Sequence, residues 1–172
     1  MPKRIITGHN EAGRSVIKIS DTGAHGLGGL SELWVTDTVP ADNTGDVDTT
    51  DRPVTLGPPD GGIRFRYFKV GPASAAAGMD PDERRRLVAE RFADMGASDA
   101  LVDVSRHPAM HKTRTVDYII LLSGKVTLLL DDDEVDLEPF DVVVQRGTNH
   151  AWVNHGDDEA LLIAVLVDAE PE

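Results

Sequence analysis

Short apolar segments that alternate with turn signals run from Asp117 to the end of the chain, and this pattern constrains the fold most strongly. The segments are rich in leucine or β-branched residues, and Gly, Pro, Asn or Asp separate them at intervals of roughly 8 to 12 residues. They are 118–122, 126–130, 135–137, 142–144, 151–153 and 161–167. This spacing favours an all-β sandwich or barrel over βαβ units. We predict a small jelly-roll β-barrel with a central pocket.

The N-terminal part predicts more strands, followed by an arm. Residues 3–7 and 15–19 are two short strand-like segments around a Gly- and Asn-containing loop, which predicts a hairpin, and residues 33–35 predict a further strand. Residues 39–59 are rich in Pro, Asp, Thr and Gly, so they cannot bury enough apolar surface to order themselves alone. We expect that segment to be a surface loop or an arm that wraps the barrel.

Residues 63–70 alternate as a barrel strand does. Ile63, Phe65 and Tyr67 fall on one face, and Arg64 and Arg66 fall on the other. An inward-facing Arg64 or Arg66 would be able to hold a substrate carboxylate bidentately, but an outward-facing surface arginine is the more common case.

One helix is predicted between the strands, over about residues 80–95. Asp80 and Glu83 form a capping box, and Pro81 suits the first helical position. The apolar stripe comprises Leu87, Val88, Phe92 and Met95. The run Arg84–Arg86 lies among acidic residues and is interpreted as a solvated, salt-bridged face. The expected division is one structural domain with N-terminal strands and arm over 1–60 and the barrel over 61–172, including the helix.

The amino-acid composition limits the kinds of partner that the chain is expected to bind. The 172 residues include 30 acidic and 17 basic ones, a net charge of −13, so nucleic acid is not an expected partner. There is no cysteine, which excludes disulfides and thiolate metal sites. No apolar run approaches the roughly 20 residues that span a bilayer. We therefore expect a cytoplasmic protein without a membrane partner. An exposed sheet edge and the apolar last strand predict a homodimer.

Four residues are candidates for a reactive centre. His111, Thr113 and Asp117 are all odd-numbered, so in an extended strand they share one face, and antiparallel pairing would bring His150 opposite them. Two imidazoles and a carboxylate suit non-haem Fe(II), with Mn, Zn or Ni as alternatives. The same three side chains, His111, Asp117 and His150, would otherwise form a metal-free acid/base set. Both alternatives stay open.

Some residues near these positions are candidates for contact with a ligand, and others are expected to have no functional role. Trp152 shares the strand face of His150, which suits a planar or aromatic ligand or a core packing role. Thr113, Tyr118 and Gln145 are expected to line the pocket beside it. No role is expected for four loop histidines, His9, His25, His107 and His155. Asn154 is expected to bond its own turn.

Two spaced motifs resemble the paired signatures of the cupin family. They comprise His111, Thr113, Asp117 and Gly124 in the first motif, and Gly147, His150 and Asn154 in the second. The sequence departs from the family pattern at Thr113, which replaces a histidine, at Asp117, which replaces a glutamate, and at Gln145, which replaces a proline. The resemblance covers residues 100–168.

The resemblance implies a cupin barrel with an N-terminal extension and a small-molecule ligand. As an enzyme the chain would carry out oxygenase, decarboxylase, isomerase or lyase chemistry at His111, Asp117 and His150. The alternative is a noncatalytic ligand-binding or sensing module that lacks catalysis together with the missing histidine. Fold similarity alone does not choose between them.

Overall fold

The computed structural model describes residues 3–22 and 26–170, which form ten β-strands and one α-helix. The strands are β1 Arg4–His9, β2 Ser15–Asp21, β3 Leu30–Thr36, β4 Ile63–Val70, β5 Thr115–Ser123, β6 Val126–Leu130, β7 Glu134–Leu137, β8 Val142–Arg146, β9 His150–Val153 and β10 Ala160–Asp168. The helix is α1 Pro81–Asp94. Every strand-like segment of the sequence is a strand, so the all-β prediction is confirmed.

The barrel consists of two antiparallel sheets. One has the order β3-β4-β10-β5-β8 and the other the order β7-β6-β9, while β1 and β2 form a separate hairpin. Leu121, Leu128 and Leu162 are buried in one cluster that joins the two sheets. Gly124 makes the β5–β6 turn at φ 84°, and a Cβ there would lie 2.7 Å from Cα of Ala160. Strand β3, within the expected N-terminal arm, is an edge strand of the larger sheet.

Strand β4 turns its arginines into the barrel. Arg64 and Arg66 are buried, whereas Phe65 and Tyr67 on the other face are only half-buried. Of the two orientations that the sequence leaves open for these arginines, the structure has the inward one. The physical reason lies in the β3–β4 register, which pairs Glu32 with Arg66 and so supplies a carboxylate inside the sheet.

Helix α1 packs its C-terminal half against the barrel. The Asp80 side chain accepts hydrogen bonds from the backbone N–H groups of Asp82 and Glu83, which confirms the expected N-cap. Phe92 and Met95 are buried, but Leu87, predicted in the apolar stripe, is exposed. Within the described part of the chain, no helix combines the length and apolarity that a membrane crossing requires.

A buried arginine fixes the N-terminal hairpin to the arm. Arg4 lies 2.6 Å from an Oδ2 atom of both Asp21 and Asp48, and it also donates to Oγ1 of Thr50 at 3.2 Å and to the carbonyl of Leu33 at 3.2 Å. The guanidinium therefore joins the hairpin, strand β3 and the arm through charge-assisted hydrogen bonds.

Candidate active site

The two predicted histidines are neighbours across an antiparallel bridge. The backbone N–H of each residue donates to the carbonyl of the other at 2.9 Å, and the ring centroids are 4.3 Å apart. His150 begins β9, and Gly147 at φ 62° makes the turn before it. The imidazoles thus converge although 38 residues of sequence lie between them.

Hydrogen bonding fixes the tautomer of both rings. Nδ1 of His111 lies 3.0 Å from the carbonyl of Ala109, and Nδ1 of His150 lies 3.0 Å from the carbonyl of Thr148. A carbonyl oxygen only accepts, so each Nδ1 carries the proton and each Nε2 keeps its lone pair. Burial lowers the pKa of His111, and burial together with the neighbouring His111 lowers that of His150 to about 3. Both rings are neutral bases near neutral pH.

Asp117 lies on the other sheet and has the opposite shift. Strand β5 places it between Gln145 of β8 and Leu166 of β10, and Asp117 is only 5% exposed. Burial raises the pKa of its carboxyl to about 6, although Thr115 and Arg66 act in the opposite direction. Its Oδ1 atom has no hydrogen-bond partner among the described residues. A buried carboxyl with an unused oxygen is available to a ligand.

These side chains line one cavity of about 440 Å³. Thr113, Arg66 and Trp152 line it too, and their contact with a ligand stays a prediction. Much of the remaining wall is apolar and comprises Leu30, Leu56, Phe68, Val70, Val88, Phe92, Met95, Ile119, Val153, Ala164 and Leu166. Cavities of this size and lining hold small organic ligands.

A buried charge cluster lies behind one wall of the cavity. Glu32, 1% exposed, lies 2.8 Å from Nη2 of Arg66 and 3.3 Å from Nη1 of Arg64. The arginines also donate to Thr55, through its carbonyl at 2.7 Å and its Oγ1 at 2.6 Å. Burial lowers the pKa of Arg66 to about 10 despite the attraction of Glu32. The cluster leaves neither arginine uncompensated, and only Arg66 reaches the main cavity.

The donor set does not fit a metal held by three protein ligands. Among residues 3–22 and 26–170, no group of three His, Cys, Asp or Glu side chains is arranged to hold an ion. The two Nε2 atoms of His111 and His150 suit a divalent cation, but Asp117 does not complete their set. The expected three-ligand site for Fe, Mn, Zn or Ni stays a prediction without geometric support.

Three predicted pocket residues do not line this cavity. Tyr118 is 51% exposed on the outside of the barrel, because neighbouring residues of a strand alternate and Asp117 points inward. Gln145 is buried, but its amide donates to the carbonyl of Thr148 at 2.9 Å. Arg64 lines a separate hollow beside Pro58 and Pro59.

Sequence reasoning missed three cavity residues, Arg84, Arg91 and His107. Arg84 belongs to the run expected to be solvated, yet it shares a helix side with Val88, Arg91 and Met95, and all four line the cavity. The spacing of four, three and four residues was the available signal. No role is expected for His107 as a loop residue, but its Nε2 lies 2.8 Å from Nη2 of Arg84.

The remaining polar candidates have structural positions. Asn154 is buried, accepts a hydrogen bond from the Gly156 N–H and donates to the carbonyl of Val70, each at 2.8 Å. It therefore bonds its own turn, as predicted, and also ties it to β4. His9 and His155 are exposed, and His25 lies outside the described residues.

Comparison with known proteins agrees with this architecture. Residues 102–166, which contain both imidazoles and Asp117, match the family model for the Cupin domain. Over these residues the chain is similar to a cupin domain, and its all-β jelly-roll barrel agrees with that likeness.

The chain is similar to proteins of fungal biosynthesis clusters. The chain is 29% identical to phomopsin biosynthesis cluster protein D of Diaporthe leptostromiformis, over 99% of this chain and 80% of that protein. It is 41% identical to phomopsin biosynthesis cluster protein C' of the same organism, over 36% of this chain and 34% of the relative. Among solved structures, a Cupin 2 conserved barrel domain protein from Salinispora arenicola is 17% identical, covers 81% of this chain and 75% of its own, and has a TM-score of 0.42.

Proposed function

We propose that the chain binds a small organic molecule in the barrel cavity and catalyses proton transfer on it, as an isomerase or a lyase does. One observation carries the proposal: two neutral imidazoles with free Nε2 atoms and a carboxyl of raised pKa line the same cavity from opposite sheets. Groups whose environments shift their pKa values in opposite directions are typical of acid/base pairs. The names of the fungal relatives, which refer to biosynthesis clusters, agree with a role in small-molecule metabolism.

The roles follow from the protonation states. An Nε2 lone pair of His150 or His111 takes a proton from a carbon beside a carbonyl group, while protonated Asp117 gives its proton to the carbonyl oxygen, which forms an enol. In an isomerisation the imidazolium gives its proton back to carbon while the enol O–H returns its proton to Asp117. In an elimination the leaving group on the next carbon departs with the imidazolium proton as the enol O–H returns its proton to Asp117. Asp117 is the acid because burial keeps it protonated up to about pH 6. Trp152 and Thr113 orient the ligand.

Deuterium exchange tests this chemistry without knowledge of the substrate. Small aryl ketones and 2-oxo acids are incubated with the protein in D₂O, and NMR follows loss of the proton beside the carbonyl. We expect exchange above the buffer rate, and losses of about 100-fold or more in His150→Gln and Asp117→Asn. Exchange should decline as pH rises through about 6, where Asp117 loses its proton. No exchange with any compound that binds would instead favour the noncatalytic binding module.

Metal content tests the alternative in which an ion takes part. The purified protein is assayed for bound Fe, Mn, Zn and Ni and melted with and without chelator. Stoichiometric metal that is lost in His150→Ala would replace the acid/base proposal with a metal centre. Because the two imidazoles lack a third protein ligand in this geometry, we expect chelator to leave the melting temperature unchanged.

We also infer a homodimer that buries the outer face of the larger sheet. Strand registers place Val144, Tyr118, Val165 and Phe65 in one row across β8, β5, β10 and β4. The next row comprises Val142, Ile120, Ile163 and Tyr67. A second copy is the occupant because these eight residues carry no charge, and two chains of net charge −13 can approach closely only through an uncharged face.

Sedimentation tests the dimer. We expect twice the mass of one chain for the natural sequence and one chain for Val144→Asp, since a carboxylate would be buried in the interface. Ile17→Asp is the matched control: Ile17 is exposed too, at 63% against 52% for Val144, but it lies on the separate hairpin. A monomeric natural protein removes the inference.

A further inference from the structure

The side of α1 that faces the cavity carries two arginines. Arg84 and Arg91 both line the cavity together with Val88, Phe92 and Met95. They are seven residues apart, which is two turns and about 10 Å along a helix axis. The helix therefore places two cations and an apolar stripe over the same ligand volume.

These arginines differ from Arg85 and Arg86, whose partners are carboxylates. Arg85 pairs with Asp82, and Arg86 pairs with Glu83 at 2.7 Å and with Glu90 at 2.5 Å. Within the described part of the chain, no ion pair links Arg84 or Arg91 to an acidic residue. The chain has 30 acidic residues and only 17 basic ones, so most basic side chains can be expected to have a carboxylate partner. A basic side chain that lines a cavity without such a partner is therefore unusual here.

Their actual contacts position the guanidinium groups without neutralising them. Arg84 lies 2.8 Å from Nε2 of His107. Arg91 donates from Nη2 to the carbonyl of Gly28, in the segment before β3. Neither partner carries a negative charge, since a carbonyl is neutral and burial and Arg84 itself lower the pKa of His107. Each guanidinium has five N–H donors, so most of them stay available to a ligand.

We propose that Arg84 and Arg91 form the carboxylate-binding subsite of the cavity and that its ligand is an organic acid with an apolar, preferably aromatic, body. The inference rests on the proposed function, because it places the reacting end of that ligand at His111, His150 and Asp117. The apolar body packs on Phe92 and Met95 of the same helix. The other cavity cations are already paired, Arg66 with Glu32 and Lys69 with Glu159.

Paired acids and amides test the charge preference. Phenylacetate and hydrocinnamate are titrated into the full-length protein beside phenylacetamide and hydrocinnamamide, and binding is followed by calorimetry and by tryptophan fluorescence. Each acid and its amide have the same apolar body, so a difference between them reports the anion subsite. We expect the acids to bind about tenfold or more tightly, as charge-assisted hydrogen bonds from arginine supply. Equal affinity of acid and amide, or no binding of either acid at millimolar concentration, would overturn the proposal.

Matched variants of one helix assign the effect to residues. Arg84→Gln and Arg91→Gln should each remove most of the preference for the acid and leave the affinity of the amide unchanged. Arg85→Gln is the control, because it removes the same charge from the adjacent position but does not face the cavity. An equal loss in Arg85→Gln would show a nonspecific effect of net charge, which contradicts the subsite. Melting temperatures check that all three variants are folded.

A variant of the reactive centre separates the two proposals. His150→Gln should keep the preference for acids while it abolishes deuterium exchange. If acids bind through Arg84 and Arg91 but no carbon acid exchanges, the proposed chemistry fails and the subsite stands. If exchange occurs with neutral ketones alone and acids gain no affinity, the subsite fails and the chemistry stands.

Discussion

Two clusters of buried arginine and carboxylate groups, one in the N-terminal arm and one in the barrel, are built differently. In the arm, Arg4 donates to Asp21, Asp48 and Thr50, and each contact is a hydrogen bond. In the barrel, Glu32 compensates two arginines and Asp117 lies beside them, yet Asp117 Oδ1 and Arg66 Nε have no hydrogen-bond partner among the described residues. The arm cluster is satisfied internally, and the barrel cluster is not.

The difference separates a structural site from a functional one. Buried polar groups are almost always hydrogen-bonded, so those that are not require a reason such as a ligand. The arm cluster lowers the pKa of Asp48 to about 2, chiefly through its hydrogen bond from Arg4, which is the stabilising direction. The barrel holds the pKa of Asp117 at about 6, which costs stability near neutral pH and prepares the carboxyl for proton transfer.

The largest effect is expected from Glu32→Gln. The change leaves the buried cations of Arg64 and Arg66 without their carboxylate, and breaking a buried ion pair in this way costs about 3–5 kcal/mol. Chemical denaturation of both proteins measures the loss. Glu159→Gln is the control, because the ion pair of Glu159 with Lys69 is half-exposed. Equal losses of unfolding free energy in the two variants would mean that the buried ion pairs of Glu32 stabilise the fold no more than the half-exposed pair of Glu159 does.

Asp117→Asn should raise stability while it abolishes exchange activity. The folded-state pKa of about 6 is above the ordinary carboxyl value of 3.8, so the folded protein binds the extra proton and loses stability as pH rises from about 4 to 6. At about 1.4 kcal/mol for each pKa unit, the asparagine variant gains about 3 kcal/mol relative to the natural protein above pH 6. Unfolding free energies across this pH range measure the gain, and a less stable variant at about pH 8 would contradict it.

Arg4→Ala tests the satisfied cluster and should act on stability alone. Asp21 and Asp48 are partly exposed and can hydrate, so the expected loss is about 2 kcal/mol, typical of hydrogen bonds to charged groups. A depressed carboxyl pKa stabilises above its ordinary value, and this contribution disappears as pH falls from 3.8 towards about 2.

The variant should lack that acid-dependent step, and its ligand affinity should be unchanged. Lys18→Ala on the same hairpin is the control, because its ion pair with Asp46 is on the surface. A large change in ligand binding by Arg4→Ala would show that the arm is coupled to the cavity.

The strands could be predicted from the sequence because each is a local pattern. Runs such as 126–130 and 161–167 carry their β-branched and leucine content within a few residues, and Gly124 and Gly147 mark turns by their conformational freedom. Asp80 and Pro81 similarly fix the start of α1. His111, Thr113 and Asp117 all line the cavity, but not as one strand face: β5 begins only at Thr115, His111 bridges to His150, and Asp117 lies on the other sheet.

The sequence does not predict side-chain orientations that depend on a partner distant in the chain. Arg64 and Arg66 face inward only because the β3 register supplies Glu32, some thirty residues earlier in the chain. Arg84 looks like Arg85 and Arg86 in sequence, and only the packing of α1 over the barrel turns it to the cavity. Tyr118 is expected to line the pocket, although alternation along the strand of Asp117 places it outside. Tertiary pairing of charges is invisible to periodicity, which reports polarity but not partners.

Among these variants, Arg85→Gln should change stability the least, because it removes an exposed ion pair and not a buried one. Its partner Asp82 is three residues away, and both side chains are largely exposed, at 57% and 86%. Water and salt screen such a pair, and the two side chains lose conformational freedom to form it, so exposed pairs on a helix contribute little. We expect no measurable change in melting temperature between low and high salt, and unchanged affinity for carboxylate ligands. A loss as large as that of Arg4→Ala would show that charge on α1, rather than satisfaction inside a cluster, controls stability.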